Sequence, residues 1–308
     1  MAIKSYKLLV LEGGLKKGSL HYLNDEERQR LQQVLFDMLC DIQTACVKMN
    51  THFTLMGGTA LGATRHKGFI PWDDDIDIAF FRSDWNDFKE RFDKELGERY
   101  ELESPNYKGQ DSKFPLAKIY LKGTEYKMVG EASYPYNNGI YIDAFVIDNV
   151  SDNPLIRHVD SFVSNTIRVI STCILDYRYS NEIIQEVMKF SISSRIYYTI
   201  RRGIGFLFSW CSHKKICDVF DKYVSRHKGN TLLTTIATGQ KRYTGEIIPR
   251  DVWLPFEKGL FNNKEFNVPH NVDKYLKLIY GNDYMELPPV EKRITHPIVK
   301  ISFPKEEK

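Results

Sequence analysis

Residues 53–82 read FTLMGGTALGATRHKGFIPWDDDIDIAFFR. The opening apolar piece, ended by Gly57-Gly58, predicts a short strand and a tight turn, because glycine is the default residue where the backbone must take positive φ. A helix over Thr59–His66 follows, closing at Gly68. After the Pro71-Trp72 break, Asp75 to Phe80 alternates carboxylates with apolar side chains. That two-residue period is a strand with one acidic face.

Working outward, Asn24 with Glu27 three residues on forms a capping-box pattern. Leu31, Val34, Leu35, Met38, Leu39, Ile42, Cys46 and Met49, expected in the core, recur behind it at helical spacing. A second helix is predicted over Trp85–Leu96, with strands at Ala117–Leu121, Lys127–Val129 and Gly139–Val146, the last holding Asp143 among apolar residues. From Pro154 to His227 the pattern turns helical and basic, and beyond Tyr243 turns and prolines return around one helix near Val272–Ile279. The expected fold is α+β, a mixed sheet flanked by helices with a helical insertion or subdomain. Its divisions are a catalytic core over 1–153, a mainly helical acceptor-side unit over 154–242, and a segment over 243–308 that packs back on the core.

The 308 residues suffice for a large core without staples. A net charge of +3 from 43 basic and 40 acidic residues argues against a dedicated nucleic-acid binder. Five cysteines without CxxC spacing read as reduced and structural. The start of the chain holds only a short apolar run, Leu8 to Leu11, and no apolar stretch reaches the roughly 18 to 20 residues of a membrane span. The expectation is a cytoplasmic protein. One stretch qualifies it: between Arg195 and Lys215, Ile196, Tyr197, Ile200, Ile204 and Phe208 form an apolar side with cations around IGFLFSWC. Such a helix can lie on an anionic membrane, at the inner face.

Asp73, Asp74, Asp75 and Asp77 lie within five residues. Singly, acids at alternating strand positions are a solvated face, and a double glycine is a turn. Together the carboxylates repel unless protons or a cation neutralise them. Mg²⁺ or Mn²⁺ prefers such oxygen ligands and leaves sites for substrate phosphates. A glycine turn at a helix N-terminus, here Gly57, Gly58 and Thr59, offers free N–H groups and positive dipole to the same phosphates. Arg65, His66 and Lys67 could add charge to that anion. Lys292, Arg293 and His296, past Pro288-Pro289, could reach a diphosphate, and Trp72 and Tyr284 could stack on a base or cradle a quaternary ammonium.

A double glycine, a two-carboxylate strand and a third carboxylate on a later strand resemble the nucleotidyltransferase superfamily. The longer string of residues 53–82, with GIYIDAFVIDNV from Gly139 and the segment from Leu254 to Arg293, resembles the LicD family, which transfers phosphocholine from CDP-choline to sugars of teichoic acids or lipopolysaccharide. The resemblance frames Leu23 to Pro297 but skips the basic helical region from Pro154 to Tyr243. It implies a nucleotidyltransferase-like core and two metal ions, Mg²⁺ or Mn²⁺, held by Asp75, Asp77 and Asp143, with Asp143 as base. It further implies donor phosphates at Gly57, Gly58 and Thr59, with Asp73 and Asp74 orienting the ligands. The donor would be CDP-choline or a related CDP-linked ethanolamine or ribitol, the acceptor a glycan or lipid-linked oligosaccharide, and CMP would leave. A nucleotidyltransferase using an NTP is the alternative within the enzyme class, and a scaffold that has lost catalysis is the alternative outside it.

Overall fold

The computed structural model describes residues 21–179, 181–188, 192–289, 293 and 296–304. The apolar run at Leu8–Leu11 and Lys292 lie outside the described residues.

The first helix, α1 (Asp25–Met49), starts on the capping box: Asn24 accepts from the Glu27 amide and Glu27 reaches back to the Asn24 amide. Its Leu31, Leu35, Met38, Leu39, Ile42, Cys46 and Met49 are buried, while Val34 is half-buried against the core. The strand β1 (Phe53–Leu55) then leads into α2 (Gly57–Arg65). This helix begins two residues earlier than the spacing predicts, at Gly57 itself, whose φ of +54° turns the chain off β1.

β2 (Asp77–Phe81), α3 (Arg82–Glu95), β3 (Tyr100–Glu103), β4 (Ala117–Leu121), β5 (Glu125–Met128) and β6 (Tyr141–Asn149) follow. β4 has the predicted bounds. β6 runs three residues further than predicted because Asp148 and Asn149 pair with β7 (Leu233–Thr235), which in turn pairs with β8 (Ile247–Pro249). Among the described residues the main sheet has the order β1-β2-β6-β4-β3, with β7 and β8 added beyond β6. β2 and β6 are parallel, while β1, β4 and β7 pair antiparallel to their neighbours. The expected mixed sheet with helices is therefore present.

One correction concerns the acidic strand. Pairing begins at Asp77, so Asp75 stands in the extended segment just before β2 rather than in it. The ladder thins there without breaking, since the Ile76 carbonyl still accepts the Asp143 amide at 3.1 Å.

The basic region forms α4 (Pro154–Arg178), α5 (Glu182–Met188), α6 (Ile192–Leu207) and α7 (His213–Val224). The predicted Arg195–Lys215 helix is thus two. α6 stops at Leu207, and Ser212 caps a new helix by accepting from the Lys215 amide. Phe208 therefore falls beyond the apolar face it was expected to join.

Short helices α8 (Arg242–Gly245) and α9 (Arg250–Trp253), the hairpin β9 (Glu257–Phe261) and β10 (Lys264–Val268), α10 (Val272–Tyr280) and β11 (Ile298–Ser302) complete the described chain. These late elements pack on early ones. Phe36 of α1 meets Phe261 and Phe266, β11 pairs with β5, and the Tyr275 hydroxyl accepts the Gly57 amide at 2.9 Å. The cysteines are free thiols, and burial pushes those of Cys46 and Cys217 up to about 12, which leaves them unreactive.

Candidate functional site

Register explains how acids distant in sequence meet. In the parallel β2–β6 pair Asp77 stands opposite Asp143, and in the antiparallel β6–β4 pair Asp143 stands opposite Lys118. Directly paired residues project to the same face, so the row reads carboxylate, carboxylate, ammonium. Lys118 Nζ lies 3.3 Å from Asp143 Oδ1 and 3.5 Å from the Tyr141 ring centroid. That approach misses hydrogen-bond geometry, and Asp143 Oδ1 is buried with no hydrogen-bond partner.

The first turn of α2 closes on this row. The Thr59 hydroxyl accepts the Asp77 amide at 2.8 Å, and the Met56 amide donates to the Asp77 carbonyl at 3.1 Å. A Cβ on Gly57 would stand 2.7 Å from Asp77 Oδ2, and one on Gly58 would stand 3.0 Å from Asp73 Oδ2. Glycine is required here because carboxylates crowd the start of the helix. Met56 supplies no side-chain cap, and the positive end of α2 faces the Asp77 and Asp73 carboxylates instead.

The electrostatics match the crowding. Burial, then the charges of Asp75, Asp143 and Asp73, hold the Asp77 carboxyl well above the usual carboxylate range, with only Lys118 opposing. Burial also raises Asp143, against the pull of Lys118. Asp74 goes the other way. Burial would lift it, but the hydrogen bonds and charge of His296, with the Tyr126 hydroxyl, outweigh that and hold it below its ordinary value. His296 Nδ1 is 2.7 Å from Asp74 Oδ1.

Asp74, Asp75 and His296 each offer a ligand atom, all within 4.8 Å of one another. This group and the Asp77–Asp143 pair are hard oxygen donors with one imidazole, a set that suits a divalent cation. Asp143 Oδ1, buried 3.3 Å from Lys118 Nζ without a well-formed hydrogen bond, is the kind of atom a cation would complete. Residues that fit a metal are thus Asp74, Asp75, Asp77, Asp143 and His296.

Sequence spacing and structure differ on the cations. Arg65, His66 and Lys67 stand at the far end of α2, which at 1.5 Å per residue is about 12 Å from Gly57. The Arg65 guanidinium donates to the Tyr284 and Glu286 carbonyls at 2.9 and 3.1 Å, and its Nε donates to the His66 ring. The His66 ring meets Trp72 edge-on, and Lys67 is exposed at a φ of +58°. Arg293 lies 4.4 Å over the Trp72 ring and donates to the Pro288 carbonyl.

Arg65 and Trp72, with Tyr280 and Tyr284, line a cavity of about 370 Å³ beside α2. A second cavity, about 300 Å³, is lined by Phe114, Tyr134, Glu131, Asp176, Arg201 and His296 among others. Lys118, Tyr275, Glu131 and the metal-ligating capacity of His296 and Asp74 escaped the sequence reading. Lys118 and Tyr275 sit in ordinary strand and helix patterns, and His296 reaches Asp74 across 222 positions.

Residues 50–163 match the family model described as LicD/FKTN/FKRP, nucleotidyltransferase domain. Among the chain's relatives is the lipopolysaccharide cholinephosphotransferase LicD of Haemophilus influenzae, 27% identical over 274 residues, which covers 87% of this chain and 94% of that one. An uncharacterized protein of Rickettsia typhi is 37% identical over 67 residues, and one of Rickettsia prowazekii 40% over 50, each spanning about a fifth of either chain.

Proposed function

We propose that this protein is a phosphotransferase that moves phosphocholine from CDP-choline to a sugar hydroxyl of a cell-surface glycan or its lipid-linked precursor. The observation that carries the reading is the Asp77–Asp143 pair, in register on parallel strands and closed over by the Gly57 end of α2. The relative whose printed name is lipopolysaccharide cholinephosphotransferase supports the choice of transferred group and acceptor class.

In this reading Asp75, Asp77 and Asp143 would hold two divalent ions, and Asp74 and His296 could add ligands. When bound, such ions neutralise charge on the phosphates and lower the pKa of a coordinated hydroxyl. The chain's own residues do the rest. The Gly58 and Thr59 amides at the start of α2 bind the donor diphosphate, the Gly57 amide being held by the Tyr275 hydroxyl. Asp143 accepts the proton of the sugar hydroxyl as the new O–P bond forms, and the P–O bond to CMP breaks with its electron pair leaving on the nucleotide. Lys118 sets the charge balance at Asp143.

The two cavities divide the donor. Trp72, Tyr280 and Tyr284 offer flat aromatic faces to the nucleoside beside α2. Phe114 and Tyr134, edge to face at 6.3 Å with Glu131 nearby, suit a quaternary ammonium.

CMP release from CDP-choline with Mg²⁺, compared between wild type and Asp75→Ala, tests the reaction. Wild type no faster than the variant would remove CDP-choline as the donor. A thermal-shift panel of CDP-choline, CDP-ethanolamine, CDP-ribitol and CTP tests the donor: a selective rise with CDP-choline is expected, and one confined to another compound would move the assignment to it.

A further inference from the structure

Large apolar side chains are exposed on both α4 and α6. On α4, Leu155, Val159 and Phe162 are 75%, 58% and 73% exposed. Their spacing of four and three residues puts them on a single helix face. On α6, Ile192, Ile196 and Ile200 repeat every four residues and are 74%, 55% and 56% exposed. Leu207 continues that stripe, and Trp210, just past the helix end, is 83% exposed.

The two helices are locked together, so this is a fixed surface. Gly205 packs so closely on α4 that a Cβ there would stand 2.0 Å from the Cys173 carbonyl oxygen. Arg201 pairs with Asp176 at 2.6 Å, and the Tyr177 and Phe206 rings meet at 5.6 Å.

Charge names the occupant. Residues 154–227 hold eleven Lys and Arg against six Asp and Glu, a net +5, in a chain of net +3 that therefore carries −2 elsewhere. Two copies joined through this face would set like charge against like, because a two-fold interface is self-complementary. A sheet of anionic lipid headgroups over hydrocarbon satisfies both features, taking the apolar side chains below and the cations at its surface. Among the described residues no helix is long and apolar enough to cross a membrane, so the contact lies on the bilayer.

We infer that the α4–α6 pair is a docking surface for an anionic bilayer, with the Ile192-Ile196-Ile200-Leu207 stripe and Trp210 inserted at the headgroup level. Trp is suited to that depth, its ring apolar and its N–H polar. Thr172, Asp176 and Arg201 of the same helices line the 300 Å³ cavity that also holds Glu131 and His296. Docking therefore brings the carboxylate site close to molecules borne by the membrane. The surface itself is independent of the reaction proposed above.

The full chain is mixed with sucrose-loaded vesicles of phosphatidylcholine alone, or with a quarter phosphatidylglycerol, and sedimented. The expected result is retention on the anionic vesicles only, weakened by high salt. Ile196→Glu combined with Leu207→Glu lowers it at least about tenfold at unchanged melting temperature; both positions are exposed, so the fold tolerates them. Asp77→Asn binds vesicles like wild type, which separates this outcome from any failure of the catalytic reading. Equal behaviour with the two vesicle types, or undiminished binding by the double variant, overturns the inference. So does a dimer in light scattering that the double substitution dissolves.

Discussion

Gly57→Ala is the sharpest local perturbation the site allows. Gly57 has a φ of +54°, and an added Cβ would fall 2.7 Å from Asp77 Oδ2. Left-handed backbone costs a residue with a side chain about 1–2 kcal/mol, and turning the Asp77 carboxylate off its rotamer to relieve the clash costs about 1 kcal/mol more. The backbone cannot give way instead, because the Gly57 amide is tied to the buried Tyr275 hydroxyl and the Asp77 amide to Thr59. A total near 2–3 kcal/mol lowers the melting temperature of a chain of this size by roughly 3–5 °C. The displaced carboxylate costs far more in activity, at least about 100-fold in CMP release, since an error of 1 Å at a reacting centre has that effect. Gly123→Ala supplies the control. Its φ is +73° and nothing lies within 4 Å of the added Cβ, so it carries the backbone strain without the clash and keeps wild-type activity. Gly57→Ala melting no lower than Gly123→Ala, with CMP release intact, would refute the argument that Gly57 exists to make room for Asp77.

Three further outcomes follow from particular contacts. Arg82 binds Asp148 through two 2.7 Å bonds and Asp221 through one of 2.8 Å, joining α3, β6 and α7. Arg82→Ala strands a buried carboxylate and costs about 3–5 kcal/mol, read by urea unfolding; a loss below about 1 kcal/mol would mean that water compensates the acids. Burial pushes His213 down to about 4 from 6.5. The unfolded chain then takes up a proton that the folded one refuses, so stability holds above pH 6.5 and falls toward pH 4, by up to about 3 kcal/mol. His213→Gln removes that part of the slope, and an unchanged pH profile would contradict it. Finally, Asp77 is held well above the carboxylate range by burial and its acidic neighbours, so at neutral pH its charge opposes folding of the metal-free protein. Asp77→Asn should melt higher than wild type in EDTA, and a lower melting temperature would count against the crowding.

Local signals were legible where chemistry acts over a few residues. The Asn24–Glu27 capping box, the period of α1 and the bounds of β4 are of this kind. The convergence of Asp77 and Asp143 was legible only through the resemblance, because pairing register between strands 66 positions apart is set by the whole sheet. The start of β2 was misread for a related reason. Alternation marks Asp75 and Asp77 alike, whereas strand pairing depends on where the neighbouring strands end. Arg65, His66 and Lys67 lie a helix length from Gly57, yet the Asp73 charge still reaches Arg65. His296 and Asp74 meet through chain closure that no spacing encodes.

The account rests on divalent ions gathered by these carboxylates. Calorimetric titration of the metal-free protein with Mn²⁺ measures that directly. Wild type should bind the ion and gain melting temperature with it, as any ligand of the folded state requires, while Asp77→Asn and Asp143→Asn lose most of both effects. Binding undiminished in both variants, or none in wild type with and without CDP-choline, would contradict it.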